Sequence, residues 1–417
     1  MINPSEKASE IVTQDAQENL TEEVSVSATT DAEESAPAET SDAPSEAAQP
    51  SQSAARTAAQ TTGAVMVSLP HVNARPMSDY LRKHLSDDLK KYRRVSNLDS
   101  GFANVSKLHA GLYVLGAVPS AGKTTFTYQM AEQIAATGVP VIFFSLEQSQ
   151  LELTTKSLSR RIYLRAMSDP SYRLYTATEI RDGAADQSKE VPEQIDALLH
   201  EVGDNLAIVQ APFSMDIEKI MLKCDEFIAK HNGRSPVIII DYLQIVAPSK
   251  TDKGAIVDPR MSMDHIVHSL KVYQMKTGAT IICVSSLNRM NYAEHLSFES
   301  FKESGGIEYT ADVIMGLELD IINQPEFEKM LEETVNANGS VTKKLKSTTL
   351  SDKRRLLDAA KAQPIRKLSL VTLKNRFGPV STCALFNYVS AYDVFLPVPS
   401  ANGSAGTPAS VSPNPYT

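Results

Sequence analysis

A short apolar strand that runs straight into a glycine-rich turn constrains this chain more than any other feature. Gly111-Leu-Tyr-Val-Leu115 leads into Gly116-Ala-Val-Pro-Ser-Ala-Gly-Lys-Thr-Thr125, and a helix-like run continues from Thr124 through about Ala136. Strand, glycine-rich turn, Lys-Thr and helix together are the layout of a phosphate-binding loop. Residues Ala117, Pro119, Ser120, Ala121, Gly122, Lys123, Thr124 and Thr125 are the expected nucleotide cradle. In such a loop successive backbone N–H groups wrap the β-phosphate and the helix N-terminus adds its positive end. Lys123 is expected to reach the β/γ oxygens and Thr124 to ligate Mg²⁺. One position departs from the strict pattern, which asks for glycine at 117. Ala117 stands there, with Gly116 one place early. Taken alone, the motif leaves open a turn that carries Gly-Lys-Thr by chance.

The ends of the 417-residue chain read differently from its middle. Residues 1–60 hold 12 acidic residues against Lys7 and Arg56, are rich in Ala, Ser, Thr and Pro, and contain no aromatic residue. Such a segment cannot bury enough apolar surface to offset its ordering entropy, so 1–75 is expected to be a disordered acidic tail and 397–417 a second disordered tail. The tail is read as a solvating spacer or as an electrostatic mimic of nucleic acid. It also accounts for the acidity of the whole. The net charge is −9, the first sixty residues contribute −10, and the remainder carries +1, so the low isoelectric point does not argue against a polyanionic partner. Cys224, Cys283 and Cys383 are far apart, which fits a reduced, cytoplasmic compartment and no zinc site. No apolar run approaches membrane-spanning length, and no basic-then-apolar signal opens the chain. No membrane partner is expected.

Between the tails, Leu81, Leu85, Leu89 and Tyr92 recur at helical spacing, predicting one amphipathic linker helix within 76–98 that needs a surface to pack on. Apolar runs at 111–116, 140–146, 206–209, 236–240, 280–285 and 312–317 alternate with helical patterns such as 215–230 and 261–276. In the latter, Met263, Ile266, Val267, Leu270 and Tyr273 form one core-facing stripe. This alternation predicts an α/β fold with a mainly parallel sheet covered by helices on both faces, and ligands at the carboxyl ends of the strands. A charged, largely helical insertion is expected over 324–361. Two β-like runs, 367–374 and 381–386, then flank Arg376-Phe-Gly-Pro379 and read as a C-terminal β-hairpin. His265 and His268 are three apart on a helix but have no third metal ligand nearby in sequence.

Two carboxylates stand where phosphate chemistry would need them. Asp241 ends the strand-like Val237-Ile-Ile-Ile240, a position for anchoring Mg²⁺, although many strands end in an Asp that caps a helix. Glu147 follows Phe143-Phe-Ser-Leu146, where a glutamate could orient and polarise the water that attacks a γ-phosphate. It could equally be an acidic residue favoured at a helix N-terminus.

Six blocks in order make the chain resemble the ATPase domain of the DnaB-type replicative DNA helicases over about residues 95–390. They are Ala117-Val-Pro-Ser-Ala-Gly-Lys-Thr124, Phe144-Ser-Leu-Glu147, Ile240-Asp-Tyr-Leu-Gln244, Ser285-Ser-Leu-Asn-Arg289, Phe301-Lys-Glu-Ser-Gly-Gly-Ile-Glu308 with Ala311-Asp312, and Lys374-Asn-Arg-Phe-Gly-Pro379. Family members also carry Ala at the place of Ala117. The resemblance implies a RecA-like P-loop NTPase domain over 99–396 that uses ATP and Mg²⁺. It implies Glu147 as catalytic base, Asp241 as a metal anchor acting through water, and Lys374 and Arg376 as cations reaching the γ-phosphate of the neighbouring subunit. Without the resemblance, Lys374 and Arg376 read as ordinary hairpin-edge charge. It further implies a DNA contact at Lys302, Glu303 and Gly305, with Arg289 nearby. Lys250, Lys253 and Arg260 either line the same pore or form a solvated basic loop. The implied partners are single-stranded DNA, further copies of the chain in a ring of six, and primase or other replisome proteins. A bacterial, phage or mobile-element setting follows.

Two departures accompany the resemblance. Ser286 stands where most relatives carry a γ-phosphate-sensing Gln, so coupling is expected to run through water or through Asn288 and Arg289. The globular N-terminal collar of the family has no counterpart, which leaves ring closure and primase contact open. The leading expectation is an ATP-dependent helicase or translocase on single-stranded DNA. A DNA-dependent remodelling or loading ATPase and a non-motor nucleotide switch are the alternatives. Backbone contacts are expected to dominate strand tracking, with minor stacking from Tyr292, Phe298 and Phe301.

Overall fold

Strand β1 (Gly111–Ala117) is buried at every residue, so both of its faces are covered. In the computed structural model, which describes residues 76–399 apart from 213, 248–258, 289–292, 302–303, 336–340 and 381–382, it lies near the centre of a nine-stranded sheet. The expected acidic tail and residues 400–417 fall outside the described residues. Strands β2 (Val141–Ser145), β3 (Leu206–Gln210), β4 (Val237–Asp241), β5 (Thr280–Ser286) and β6 (Val313–Leu319) join β1 in parallel, in the order β3-β2-β4-β5-β1-β6. Past β6 the sheet turns antiparallel with β9 (Ile365–Asn375), β10 (Cys383–Val389) and β11 (Val394–Pro397). The α/β architecture and the C-terminal hairpin are therefore as expected, and β11 is an added edge strand from a stretch too short to show a period.

Helices clothe the sheet. Lys123–Ala136 packs against β1, β2, β3, β4 and β11, while Pro259–Thr277 packs on β1 and β5. The stripe Met263, Ile266, Val267, Leu270 and Tyr273 is buried as core. The linker forms two helices, Met77–Lys83 and Leu85–Val95, rather than one. His84 caps the second helix, and Asp87 and Asp88 in its first turn suit the positive end of a new helix.

The insertion also departs from expectation. Residues 329–347 form a separate two-stranded antiparallel ribbon, β7 (Lys329–Val335) and β8 (Val341–Ser347), and only Leu350–Ala362 is an extended helix. The ribbon pairs Thr334 with Thr342 and Val335 with Val341, and aligns Glu332 and Glu333 with Lys344 and Lys343. β-branched and opposite-charge partners of this kind favour a hairpin over the helix that charge content suggested.

A buried ion pair fastens the phosphate-loop helix to its surroundings. Arg160, from the helix Gln150–Ser168, donates to Glu132 of the helix Lys123–Ala136, and both are essentially inaccessible to water. Arg160 also donates to the Asp393 carbonyl at 3.3 Å and lies 5.8 Å from the Tyr128 ring centre. Removing one partner of such a pair strands a charge in the core. Glu132→Gln should therefore cost about 3–5 kcal/mol of unfolding free energy, read as a lowered urea midpoint at unchanged slope.

Candidate nucleotide site

The phosphate loop takes its shape from two residues in the left-handed region. Ser120 has φ 64° and Gly122 φ 81°, and Gly122 caps the helix Lys123–Ala136. A β-carbon on Gly122 would sit 2.9 Å from the Phe395 ring and 3.0 Å from the Tyr388 ring, so glycine is required there by conformation and by space alike. The loop therefore rests on the C-terminal strands. Arg366 of β9 donates to the Ser120 carbonyl at 2.7 Å, and Thr125 donates to the Asp393 carboxylate at 2.9 Å.

Around this loop opens a cleft of about 660 Å³. Pro119, Ser120, Gly122, Lys123, Thr124, Thr125 and Glu147 line it, while Ala117 and Ala121 lie buried. Gln148, Lys156, Arg366, Tyr388, Ser390 and Ala391 line it without any signal in the sequence. Arg366 and Tyr388 are cross-strand partners, with the guanidinium 5.8 Å from the ring centre, and only the hairpin register brings them to the phosphate loop. Lys156 sits two turns into the helix that follows Glu147, 3.7 Å from the Asp393 carboxylate.

Asp241 ends β4 and is 1% exposed. Burial pushes its carboxyl up to about 6, and Glu147 nearby pushes the same way, against the opposing pull of the Thr124 hydroxyl and the Lys123 ammonium. Its Oδ1 has no hydrogen-bond partner. A buried carboxylate oxygen lacking a donor, beside a threonine hydroxyl, suits a hard divalent cation such as Mg²⁺. Tyr242 follows, its ring 5.9 Å from Lys123 Nζ.

The end of β5 carries Ser286. Its N–H donates to Gln244 Oε1 at 3.1 Å, while Gln244 Nε2 donates to Ser285 Oγ at 2.9 Å. Gln244 thus ties the segment after Asp241 to the end of β5. Next along, Asn288 N–H donates to the Ser300 carbonyl at 2.8 Å, and Leu287 bridges Phe301. Arg289, Lys302 and Glu303, like Lys250 and Lys253, lie outside the described residues, and Gly305 sits in the helix Ser304–Thr310. Phe301 is 1% exposed, which corrects its reading as a base-stacking residue, because a ring in the core cannot reach a nucleotide.

Lys374 and Arg376 are far from this cleft. β9 runs antiparallel to β6, with Lys374 opposite Ile314 at the amino edge of the sheet and Leu368 opposite Leu319 at the phosphate-loop edge. Arg366 and Arg376 are therefore separated by almost the length of β9, roughly 30 Å at the usual strand rise. At the far edge Arg376 donates to Asp312 Oδ1 at 3.0 Å and to the Tyr309 carbonyl at 3.2 Å, and its side chain remains half exposed. Lys374 donates to the Glu308 carbonyl. Burial, then the Arg376 charge, lowers the Lys374 ammonium from the usual lysine range.

Residues 94–395 match the family model of the DnaB-like helicase C-terminal domain. The chain belongs to that family. The DnaB-like domain is 24% identical over 320 residues to a probable replicative DNA helicase of Trieres chinensis, covering 72% of this chain and 58% of that protein. It is 28% identical over 266 residues to the replicative DNA helicase DnaB of Pasteurella multocida, covering 61% and 53%. The chain thus spans little more than half the length of these relatives. Among solved structures, an ATPase domain superposes with a TM-score of 0.56 at 18% identity, covering 76% of this chain and 99% of that one. A DnaB-like replicative helicase, solved for its interactions with primase, gives 0.54 at 17%, covering 77% and 67%. The fold of the DnaB-like domain is accordingly RecA-like. Among the described residues no helix is long and apolar enough to cross a membrane, and no cluster of three or more metal-ligating side chains occurs.

The raised Asp241 carboxyl has a consequence for stability. Between its ordinary value of 3.8 and about 6, the folded DnaB-like domain holds a proton that the unfolded chain has released. Without metal, stability should therefore fall as pH rises through this window, by about 3 kcal/mol in all. The difference between wild type and Asp241→Asn in urea midpoint, followed from pH 4 to 7, should show this slope; parallel curves would refute it.

Proposed function

We propose that this domain hydrolyses ATP at the interfaces of a ring of identical subunits and uses the turnover to move along single-stranded DNA and unwind duplex during replication. The observation that carries the reading is the separation of the two halves of the site. The phosphate loop, Glu147 and Asp241 lie at the carboxyl edge of the sheet, while Lys374 and Arg376 lie at the amino edge. Cations so far from their own cleft can serve phosphate chemistry only in another copy. The apolar linker face, with Leu81 53% and Leu89 42% exposed, supports assembly by the same logic, and its occupant in this reading is the adjacent subunit.

Within one interface the roles follow from position. Lys123 and the loop N–H groups hold the phosphates, and Glu147 orients water and accepts its proton. Thr124 and Asp241 would hold Mg²⁺, which supplies charge neutralisation at the β and γ oxygens. Arg376 and Lys374 of the adjoining copy stabilise the charge that develops in the transition state, a contribution worth about 10³–10⁵ in rate in related chemistry. The loop through Lys302, Glu303 and Gly305, with Arg289, takes the DNA backbone, and primase or another replisome protein is a further proposed partner in the cytoplasm. A switch would need no complete hydrolytic set.

Lys123→Ala should abolish turnover. Arg376→Ala should lower it by about 10³-fold or more while leaving ATP binding intact. Mixing the two dead proteins should restore turnover, because phosphate loops of one variant then meet fingers of the other. No recovery on mixing, or normal turnover in Arg376→Ala alone, would sink the shared-site assignment.

A further inference from the structure

Gly116 is the residue that stands one place early for the strict phosphate-loop pattern, and the structure gives it a neighbour. A β-carbon there would lie 2.6 Å from Phe301 Cε1 and 2.6 Å from Leu287 Cδ2. The ring of Phe301 therefore packs directly on the bare backbone of β1, one residue before the loop begins at Ala117. On its own side, Phe301 is the last residue before Lys302, where the expected DNA loop begins. It is held in place by the bridge to Leu287, by the Asn288 N–H donating to the Ser300 carbonyl, and by Asn288 Nδ2 donating to the Glu299 carbonyl at 3.0 Å.

We propose that Phe301, seated on Gly116, is a positioning residue that carries the state of the DNA loop to the phosphate loop of the same subunit. This rests on the DNA-translocase reading above and supplies a route for its nucleotide coupling. The physical basis is close packing. A ring against backbone, with no side chain between them to absorb a shift, passes displacement on because packed interiors are poorly compressible. Each partner is one residue from a functional segment in the chain, so the contact joins the two without a chain of intermediates. A second connection runs by hydrogen bond from Gln244 to the end of β5, along the backbone to Asn288, and by the Asn288 hydrogen bonds to the same segment. The glycine at 116 is then required by the coupling contact rather than by loop conformation.

The test measures steady-state ATP hydrolysis of the full chain with and without a single-stranded oligonucleotide, and the affinity for a fluorescent oligonucleotide. Phe301→Ala should keep basal turnover and oligonucleotide affinity yet lose DNA stimulation by about 2- to 30-fold, the range of mutations that act on coupling alone. Lys302→Ala should instead lose affinity. If truncation at 301 unfolds the protein, Gly116→Ala and Gly116→Ala/Phe301→Leu replace it. The added methyl should suppress stimulation against the full ring and Leu287, and the shorter side chain at 301 should restore part of it. Undiminished stimulation in Phe301→Ala or in Gly116→Ala, or no recovery in the pair, overturns the coupling and leaves the translocase reading standing. A wild type whose turnover and DNA affinity ignore each other overturns both.

Discussion

The active parts of this domain are fastened to β1. Its seven residues are buried, so the strand cannot shift without disturbing the core. At its amino end Leu112 N–H donates to Asp312 Oδ2 at 2.8 Å, and that carboxylate also accepts from Lys271 at 2.6 Å and from Arg376. At 3% exposure that carboxylate needs such partners, because a buried charge without them would be costly. At its carboxyl end β1 meets Phe301 and then becomes the phosphate loop. One strand thus fixes Arg376, Phe301 and the phosphate loop in a single frame.

That frame separates charges that would interfere if they met. Arg366 and Arg376 flank the same antiparallel run, yet one steadies the Ser120 carbonyl of its own loop and the other points from the opposite edge. A strand is the element suited to this, since it spans the sheet with the longest rise per residue. The helix Ser304–Thr310 follows the same geometry in the other direction. It starts at the expected DNA loop and ends with its Glu308 and Tyr309 carbonyls accepting from Lys374 and Arg376. Cations at a helix C-terminus are favoured by its dipole, so this helix holds Lys374 and Arg376 at its end.

What could be read from the sequence was whatever repeats or is confined to a short window. The phosphate loop, the buried parallel strands and the terminal hairpin announce themselves through apolar runs and glycine-rich turns, and Asp241 through its place at a strand end. The ribbon at 329–347 was hidden because its charges obscure its alternation. Lys156, Arg366 and Tyr388 were hidden for another reason: each reaches the cleft through tertiary register, which composition does not encode. Phe301 was visible but misread, since an aromatic residue beside an expected DNA-contacting segment looks like a stacking platform until the glycine beneath it is seen. The departure at Gly116 looked like a flaw in a motif and is a packing requirement of the fold.

The same physics bears on the proposed assembly. Met77 and Tyr92 are exposed on the two linker helices along with Leu81 and Leu89, and covering side chains of this size contributes about 1.5–3 kcal/mol each. Against that gain stands the cost of association, which a few apolar residues alone do not reliably offset. On the proposed shared-site reading, a nucleotide clasped by residues of two copies would add contacts that exist only when both are present. In the proposed assembly, subunit association and nucleotide binding would then favour each other by linkage.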